Sequence, residues 1–353
     1  MKNLIINLKP TKGAFHIGDD LRGLERVREY VHSDTIFSGL IHSFARLYGK
    51  EYVDDLIKQF CDGKLPFIVS SGFLFNANYG YFLPKPKLPI SLLKKRIKDE
   101  PQEKTEKTLK KYKETNFLPD LWLRGLLKGL SNNNIEFQIL ENAVREANNY
   151  SNLFSNITRP SSSIDRTSNS SELFFRGETF LKSNVEISIF CKCDDSLVKQ
   201  VEVENAFKCL GDLGLGGERT YGLGYFDTSI QEVLPDPGFI FEGIPTLNGE
   251  SNNFSYLLSL YYPDSEELKK IKDSSFYYSL TERKGWFDSP YSNSQFKRKS
   301  IMMFEEGSII GLNSLRGKLV DVSPEEWRKS SIKSEYKHTI FRNGLAFSIP
   351  FKM

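Results

Sequence analysis

The stretch Gly211-Asp212-Leu213-Gly214-Leu215-Gly216-Gly217-Glu218-Arg219-Thr220-Tyr221-Gly222-Leu223-Gly224 holds six glycines and one arginine between two segments of different periodicity. Upstream, Val203, Ala206, Phe207, Leu210 and Leu213 recur at helical spacing, and Gly214 stands where a helix C-cap favours glycine. Downstream, Tyr221 to Ile230 reads as a short strand. The order helix, glycines, strand decides the kind of loop. Rossmann and Walker nucleotide loops run the other way, from a strand through glycines into a helix N-terminus, and no G-x-x-x-x-G-K-[ST] occurs in the chain. A dinucleotide or nucleoside triphosphate held in those ways is not expected. Glycine admits positive φ and brings bare backbone N–H groups close to a ligand, which suits a phosphate backbone. Arg219 adds a planar fork of donors for a phosphate or a base edge. A plain turn would need only two or three glycines.

The surrounding 353 residues are long enough for two domains, each with its own core. At 39% hydrophobic and 26% charged residues, the composition is that of an ordinary globular protein. No apolar run reaches the length of a membrane span, and the N-terminus enters the alternating segment Leu4-Ile5-Ile6-Asn7-Leu8 without a signal-peptide pattern, so a cytoplasmic protein is expected. The net charge of +3 says little about nucleic acid. Its distribution says more: residues 94 to 113 hold nine Lys or Arg against four Asp or Glu, which fits either a solvated helical face or an RNA or partner contact. Cys191 and Cys193 end an alternating strand and should share a face, but neither a second close pair nor a His at ligand spacing accompanies them. Buried thiols, with no metal and no cofactor, are expected.

Periodicity lays out an α+β chain. After the first strand, a helix from Ser33 to Leu47 places Ile36, Phe37, Leu40, Ile41, Phe44 and Leu47 on one face, with Ser33 or Asp34 as its cap. Phe67 to Phe75 and Tyr79 to Leu83 read as a hairpin around Asn76-Ala77-Asn78. The charged segment from Pro84 to Pro119 reads as a surface insertion, and the Ser-, Asn- and Thr-rich segment from Ser151 to Ser171 as an exposed mobile loop. Strands at Glu172 to Leu181 and Val185 to Cys191 lead to the helix before the glycine loop. Leu234-Pro235-Asp236-Pro237-Gly238 breaks both helix and strand and marks a domain boundary. Beyond it, Phe254 to Tyr262, a helix at Ser265 to Ile271, and strands near Phe276 to Leu280, Ser308 to Leu312 and Ala346 to Phe351 outline a second α+β unit.

Helix, G-x-G-G-x-R-x-x-G-x-G, then strand resembles the signature loop of the RAMP superfamily, the RNA-binding subunits of CRISPR effector complexes. His32-Ser33-Asp34-Thr35-Ile36-Phe37-Ser38, preceded by Phe15-His16-Ile17-Gly18, is similar to one branch of it. Leu83-Pro84-Lys85-Pro86, Ser163-Ile164-Asp165-Arg166-Thr167, Gly317-Lys318-Leu319-Val320-Asp321-Val322 and Gly344-Leu345-Ala346-Phe347 extend the similarity over nearly the whole chain. That branch is the family of fourth subunits of Csm (type III-A) complexes, which resemble the Cas-five-type proteins that cap the 5′ end of CRISPR RNA.

The resemblance implies two ferredoxin-like (RRM-like) domains: 1–235, with insertions near 84–119 and 140–171, and 236–353. It implies a non-catalytic subunit that binds the 5′ repeat-derived handle of CRISPR RNA and links a polymerase-like large subunit to the backbone RAMP subunits, with no membrane partner. The RNA-binding residues it implies fall in three segments. Lys12, His16 and Gly18 precede the first helix, and Ser33 at its start is the fourth RNA-binding residue of this segment. Arg159, Ser163, Ile164, Asp165 and Arg166 lie in the Ser-rich segment, where the family comparison suggests a thumb that displaces bases. Gly214, Gly216, Gly217, Arg219, Tyr221 and Gly222 belong to the glycine loop.

Other functions rest on fewer residues. A metal-independent repeat-RNA endonuclease needs a histidine as general acid or base, and of His16, His32, His42 and His338 only His16 sits where it could serve. Cleavage of target RNA by a loop carboxylate points to Asp19 or Asp20. A protein-interaction module without RNA leaves the glycine loop unexplained. No Ser-His-Asp arrangement or H-E-x-x-H supports another hydrolase.

Overall fold

The computed structural model describes residues 1–11, 13–18, 23, 25–97, 101–233, 253–272, 276–287, 295–330, 332 and 337–353. Lys12, Asp19, Asp20 and the boundary segment from Leu234 to Gly238 lie outside the described residues.

Alternation in the first strand, Lys2–Pro10, buries Leu4, Ile6 and Leu8 on one face, and the strand stands second from one edge of a seven-stranded sheet. It pairs antiparallel with Phe226–Val233 on one side and Val185–Cys193 on the other. Val185–Cys193 in turn pairs with Phe73–Asn76, and Gly80–Pro84 and Phe117–Pro119 extend the sheet outward. Numbered along the chain, the strands Lys2–Pro10, Phe73–Asn76, Val185–Cys193 and Phe226–Val233 stand in the spatial order fourth, first, third, second, with helices Ser33–Cys61 and Gln200–Leu213 as the two crossovers. These helices pack against one another, and their Ile36, Phe37, Leu40, Phe44, Val203, Phe207 and Leu210 belong to the main core. Cys191 and Cys193 are buried in this sheet.

The second half repeats the order. Ser348–Lys352, Asn253–Leu257, Ile309–Ile310 and Phe276–Tyr277 pair in that sequence, again fourth, first, third, second, with helix Ser265–Lys272 after the first strand. One apolar core runs through both halves: Leu83, Phe190 and Leu4 share it with Phe254, Tyr256, Ile309, Phe347 and Phe351. Mixed helices and antiparallel sheets make the fold α+β.

Several expectations are corrected. The first helix does not stop at Leu47, which is 44% exposed; it resumes after a break at Gly49 (φ 88°) and ends at Cys61. Ser33 and Asp34 do not cap it, because His32 is the N-cap residue and makes no side-chain capping bond. The hairpin strand from Phe67 is interrupted at Ser70–Gly72, giving Phe67–Val69 and Phe73–Asn76. The segment from Pro84 to Pro119 is no loose insertion: it forms helices Ile90–Arg96 and Gln102–Glu114 and the edge strand Phe117–Pro119, burying Leu93, Leu109, Tyr112 and Leu118. Two amphipathic helices that the sequence reading passed over, Asp120–Ser131 and Phe137–Ala147, pack beside it. The Ser-rich segment is not an irregular loop but the strand Phe154–Ile164, paired along its length with Ser171–Leu181.

The two halves are joined through side chains of the motifs themselves. Asp34, fully enclosed, takes a fork from Arg283 (Nε to Oδ2 3.0 Å, Nη2 to Oδ1 3.1 Å) and a further ion pair from Arg342. Burial alone would raise its pKa, but the two guanidinium charges and their hydrogen bonds outweigh it and hold the carboxyl far below its ordinary range. Beside it, Arg28 Nη1 donates to His32 Nε2 (2.6 Å), which leaves Nδ1 to donate to Glu306 Oε1 (2.8 Å). Ser71 Oγ donates to the same Glu306 oxygen. From Leu83-Pro84-Lys85-Pro86, the Pro84 carbonyl accepts from the Tyr256 hydroxyl. Gly317 (φ 73°) passes so close to the Gly344 carbonyl that a Cβ would overlap it.

Candidate nucleic-acid interface

The glycine loop is bound to the segment before the first helix. Gly214 caps helix Gln200–Leu213 with φ 82° and its N–H on the Leu210 carbonyl, as its position predicts. The loop is then pinned by Leu215 N–H to Gly224 O (2.8 Å), Gly217 N–H to His16 O (2.9 Å) and Gly224 N–H to Ala14 O (3.1 Å). Gly216 (φ 94°) leaves no room for a Cβ, which would overlap the His16 carbonyl oxygen. The expected strand from Tyr221 begins only at Phe226, because Arg219–Tyr221 forms a 3₁₀ turn between two left-handed residues, Glu218 (φ 58°) and Gly222 (φ 85°).

Ala14–Phe15 also pairs with Phe180 and Thr179, so the base of the long hairpin stands against the same segment. His16 is wedged there, 5% exposed, with Nδ1 donating to the Gly177 carbonyl at 2.8 Å. Gly18 bridges to Val27. Past Gly177 the hairpin runs on for about 20 Å at roughly 3.3 Å per residue to a turn at Asp165, whose carboxylate accepts the Thr167 N–H at 2.7 Å. Register divides its side chains. Pro160, Ile164, Leu173 and Phe175 fall on one face, the last three exposed. Arg159 and Arg176 share the other, where Arg159 Nε pairs with Glu178 at 2.8 Å.

Of the residues read from the sequence, His16, Gly18, Gly214, Gly216, Gly217, Arg219, Tyr221 and Gly222 come together around the loop. Arg159 lies on the hairpin above them, and Ser163, Ile164, Asp165 and Arg166 mark its far end. Ser33 is elsewhere: it is buried, and its Oγ accepts the Leu260 N–H at 3.1 Å in the junction between the halves. Arg219 is exposed, and its guanidinium donates a 3.4 Å bond to the Leu213 carbonyl. Partial burial, then the charges of Arg219 and Arg46, hold the His42 imidazole below its ordinary value, which marks a cationic patch beside the loop. Neither Arg46 nor His42 carries a sequence signal for this. Arg176, Glu218 and Tyr225 were missed as well; only the strand register across Ser171–Leu181 could have drawn Arg176 to the loop. Among the described residues, no group of three His, Cys, Asp or Glu side chains could hold a metal ion, and no helix is long and apolar enough to cross a membrane.

Residues 250–351 match the model of the CRISPR Csm4 C-terminal domain. The "CRISPR system Cms protein Csm4" of Methanocaldococcus jannaschii is 25% identical over 98% of this chain and 97% of its own length. The whole chain is thus similar to a Csm4 protein, and its C-terminal part matches the Csm4 family model. A second Csm4 protein, from Thermococcus onnurineus, is 23% identical over 60% of this chain and 67% of its own. The fold is that of a chain in the crystal structure of a Csm3-Csm4 subcomplex of the type III-A CRISPR-Cas interference complex (TM-score 0.61, 20% identity, all of both chains covered). It is shared with a chain of a Csm1-Csm4 cassette solved with cA4 (TM-score 0.55, 17% identity, 99% and 97% covered).

Proposed function

We propose that this chain is a non-catalytic, cytoplasmic RNA-binding subunit of a type III-A Csm complex. It caps the 5′ repeat-derived handle of CRISPR RNA and links the polymerase-like large subunit to the backbone RAMP subunits. Similarity to Csm4 proteins over the chain, and the assembly of structurally similar chains with Csm1 and with Csm3, support the partners. The repeated strand order supports two ferredoxin-like domains, 1–235 and 236–353. The observation that carries the RNA reading is the union at one place of a glycine loop, the Phe15–Gly18 segment and the foot of an exposed hairpin.

Each part has a physical task. The loop and the Arg219 patch hold the backbone, while the apolar face of the hairpin, with Ile164, Leu173 and Phe175 exposed, wedges between bases as a thumb. His16, enclosed and engaged through Nδ1, positions the loop rather than moving protons.

Phosphate contacts supply salt-dependent affinity without sequence information, whereas splayed bases are read on their edges. Binding measured across a salt series, for handle RNA and a scrambled strand of equal length, is expected to weaken for both strands as salt rises while the handle keeps its preference. Equal affinities throughout would reduce the reading to generic single-strand binding, and cleavage of repeat RNA in chelator would favour the endonuclease. Replacing Arg219 by Ala is expected to cost about 1–3 kcal/mol of handle binding, the range of a charge-assisted or bidentate contact, with the thermal midpoint unchanged. Undiminished binding by that variant removes Arg219 from the site.

A further inference from the structure

Tyr221 is 63% exposed, yet its ring is not loose. The Arg176 guanidinium carbon lies 3.8 Å from the ring centroid, close contact for a cation over an aromatic face. Arg176 is itself only 8% exposed, and its Nη1 is held by Glu218 Oε2 at 3.2 Å. Glu218 opens the 3₁₀ turn that carries Tyr221, so the ion pair ties the hairpin to the turn. The turn is set by Tyr221 N–H to Glu218 O (3.0 Å) and Gly222 N–H to Arg219 O (2.9 Å), and the Tyr225 hydroxyl donates to the Arg219 carbonyl (3.2 Å). One face of the ring is therefore occupied by a fixed cation, and the ring stays largely open to solvent.

We infer that Tyr221 is a base-stacking platform, held in place by Arg176 and Glu218, that takes one unpaired nucleobase of the bound strand. This rests on the RNA-binding reading and names a subsite within it. Stacking a second flat group on a ring already backed by a guanidinium costs little side-chain entropy, because the ring is already immobilised. Arg219, two positions earlier on the same turn, is exposed and cationic, as the adjoining phosphate requires. That neighbour favours a nucleotide over an apolar protein side chain as the occupant. Every base has a π-face, so the platform demands a base at its position and is indifferent to which one.

The test scans a single abasic site along handle RNA bound to the full chain. One position is expected to lose about tenfold or more in affinity when abasic, and little when its base is merely exchanged. Tyr221→Leu should abolish that position's abasic penalty and Tyr221→Phe should keep it; both changes are at an exposed ring and leave folding intact. Arg176→Leu, a change at a positioning residue, should lower the quenching of 2-aminopurine placed at the same nucleotide. A scan in which no penalty depends on Tyr221, with handle preference intact, overturns the platform and leaves the proposed function standing. Loss of handle preference in the unaltered chain overturns that function first. Weakened association with the large subunit in Tyr221→Leu, with RNA affinity unchanged, assigns the ring to a protein contact and also overturns the proposal.

Discussion

Replacing Asp34 by Ala is expected to destabilise the chain by about 3–5 kcal/mol, because removing one partner of a buried ion pair leaves an uncompensated buried charge. Here two guanidinium groups, Arg283 and Arg342, lose their common acceptor at the junction between the halves. Urea unfolding of the purified chain measures the loss. An Asp34→Ala midpoint and slope equal to those of the unaltered chain would show that the pairing contributes nothing. The direction of the pKa shift adds a pH dependence. Since the folded-state pKa of Asp34 lies below its unfolded value, the contribution is fully present above the ordinary carboxylate pKa of about 3.9. It is lost as pH falls from there toward the folded value, because the unfolded chain takes up the proton first. Glu306, lowered by His32 and Ser71 against the opposing effect of burial, acts in the same sense. Asp34→Asn should therefore flatten part of the acid limb of the stability curve, and an unchanged acid limb would assign it to other carboxylates.

Gly216→Val is the second change with a large expected effect. A branched side chain at φ 94° meets a left-handed penalty of about 1–2 kcal/mol before any contact is counted. Its Cβ would also collide with the His16 carbonyl oxygen, so the loop must move off the Phe15–Gly18 segment and the Gly217 to His16 hydrogen bond, worth roughly 1 kcal/mol, is lost. A destabilisation above about 2 kcal/mol, with handle affinity falling further than the loss of folded chain explains, is the expected result. It is read from thermal unfolding and RNA titration on the same sample. A variant that melts and binds normally makes the loop a simple connection.

Where neighbours along the chain decide conformation, the sequence was sufficient. Alternation in Leu4-Ile5-Ile6-Asn7-Leu8, the apolar spacing from Val203 to Leu210 and a glycine at 214 each act over a few residues, and the first strand, the second crossover helix and its cap are found where they point. So are the α+β class, the strand near Phe254, the helix at Ser265 and the glycine loop with its exposed arginine. Tertiary structure decided the rest. Phe154–Ile164 is rich in Ser, Asn and Thr and shows no apolar alternation, since most of it faces solvent; its strand exists because Ser171–Leu181 pairs with it. The segment after Pro84 reads as charged surface because Lys and Glu outnumber its few apolar residues, yet Leu93, Leu109 and Tyr112 suffice to pack it down. Ser33 and Asp34 carry the signature of a helix cap, a local role, whereas their partners lie in the other half, Arg283 standing 249 positions away. Arg176 likewise reads as one charge on a strand until register and the turn at Glu218 bring it beneath Tyr221. Periodicity reports which face of an element is apolar, but it carries no information on which distant element will cover that face or complete a buried charge, and those long-range pairings are what turn a recognisable loop into a site.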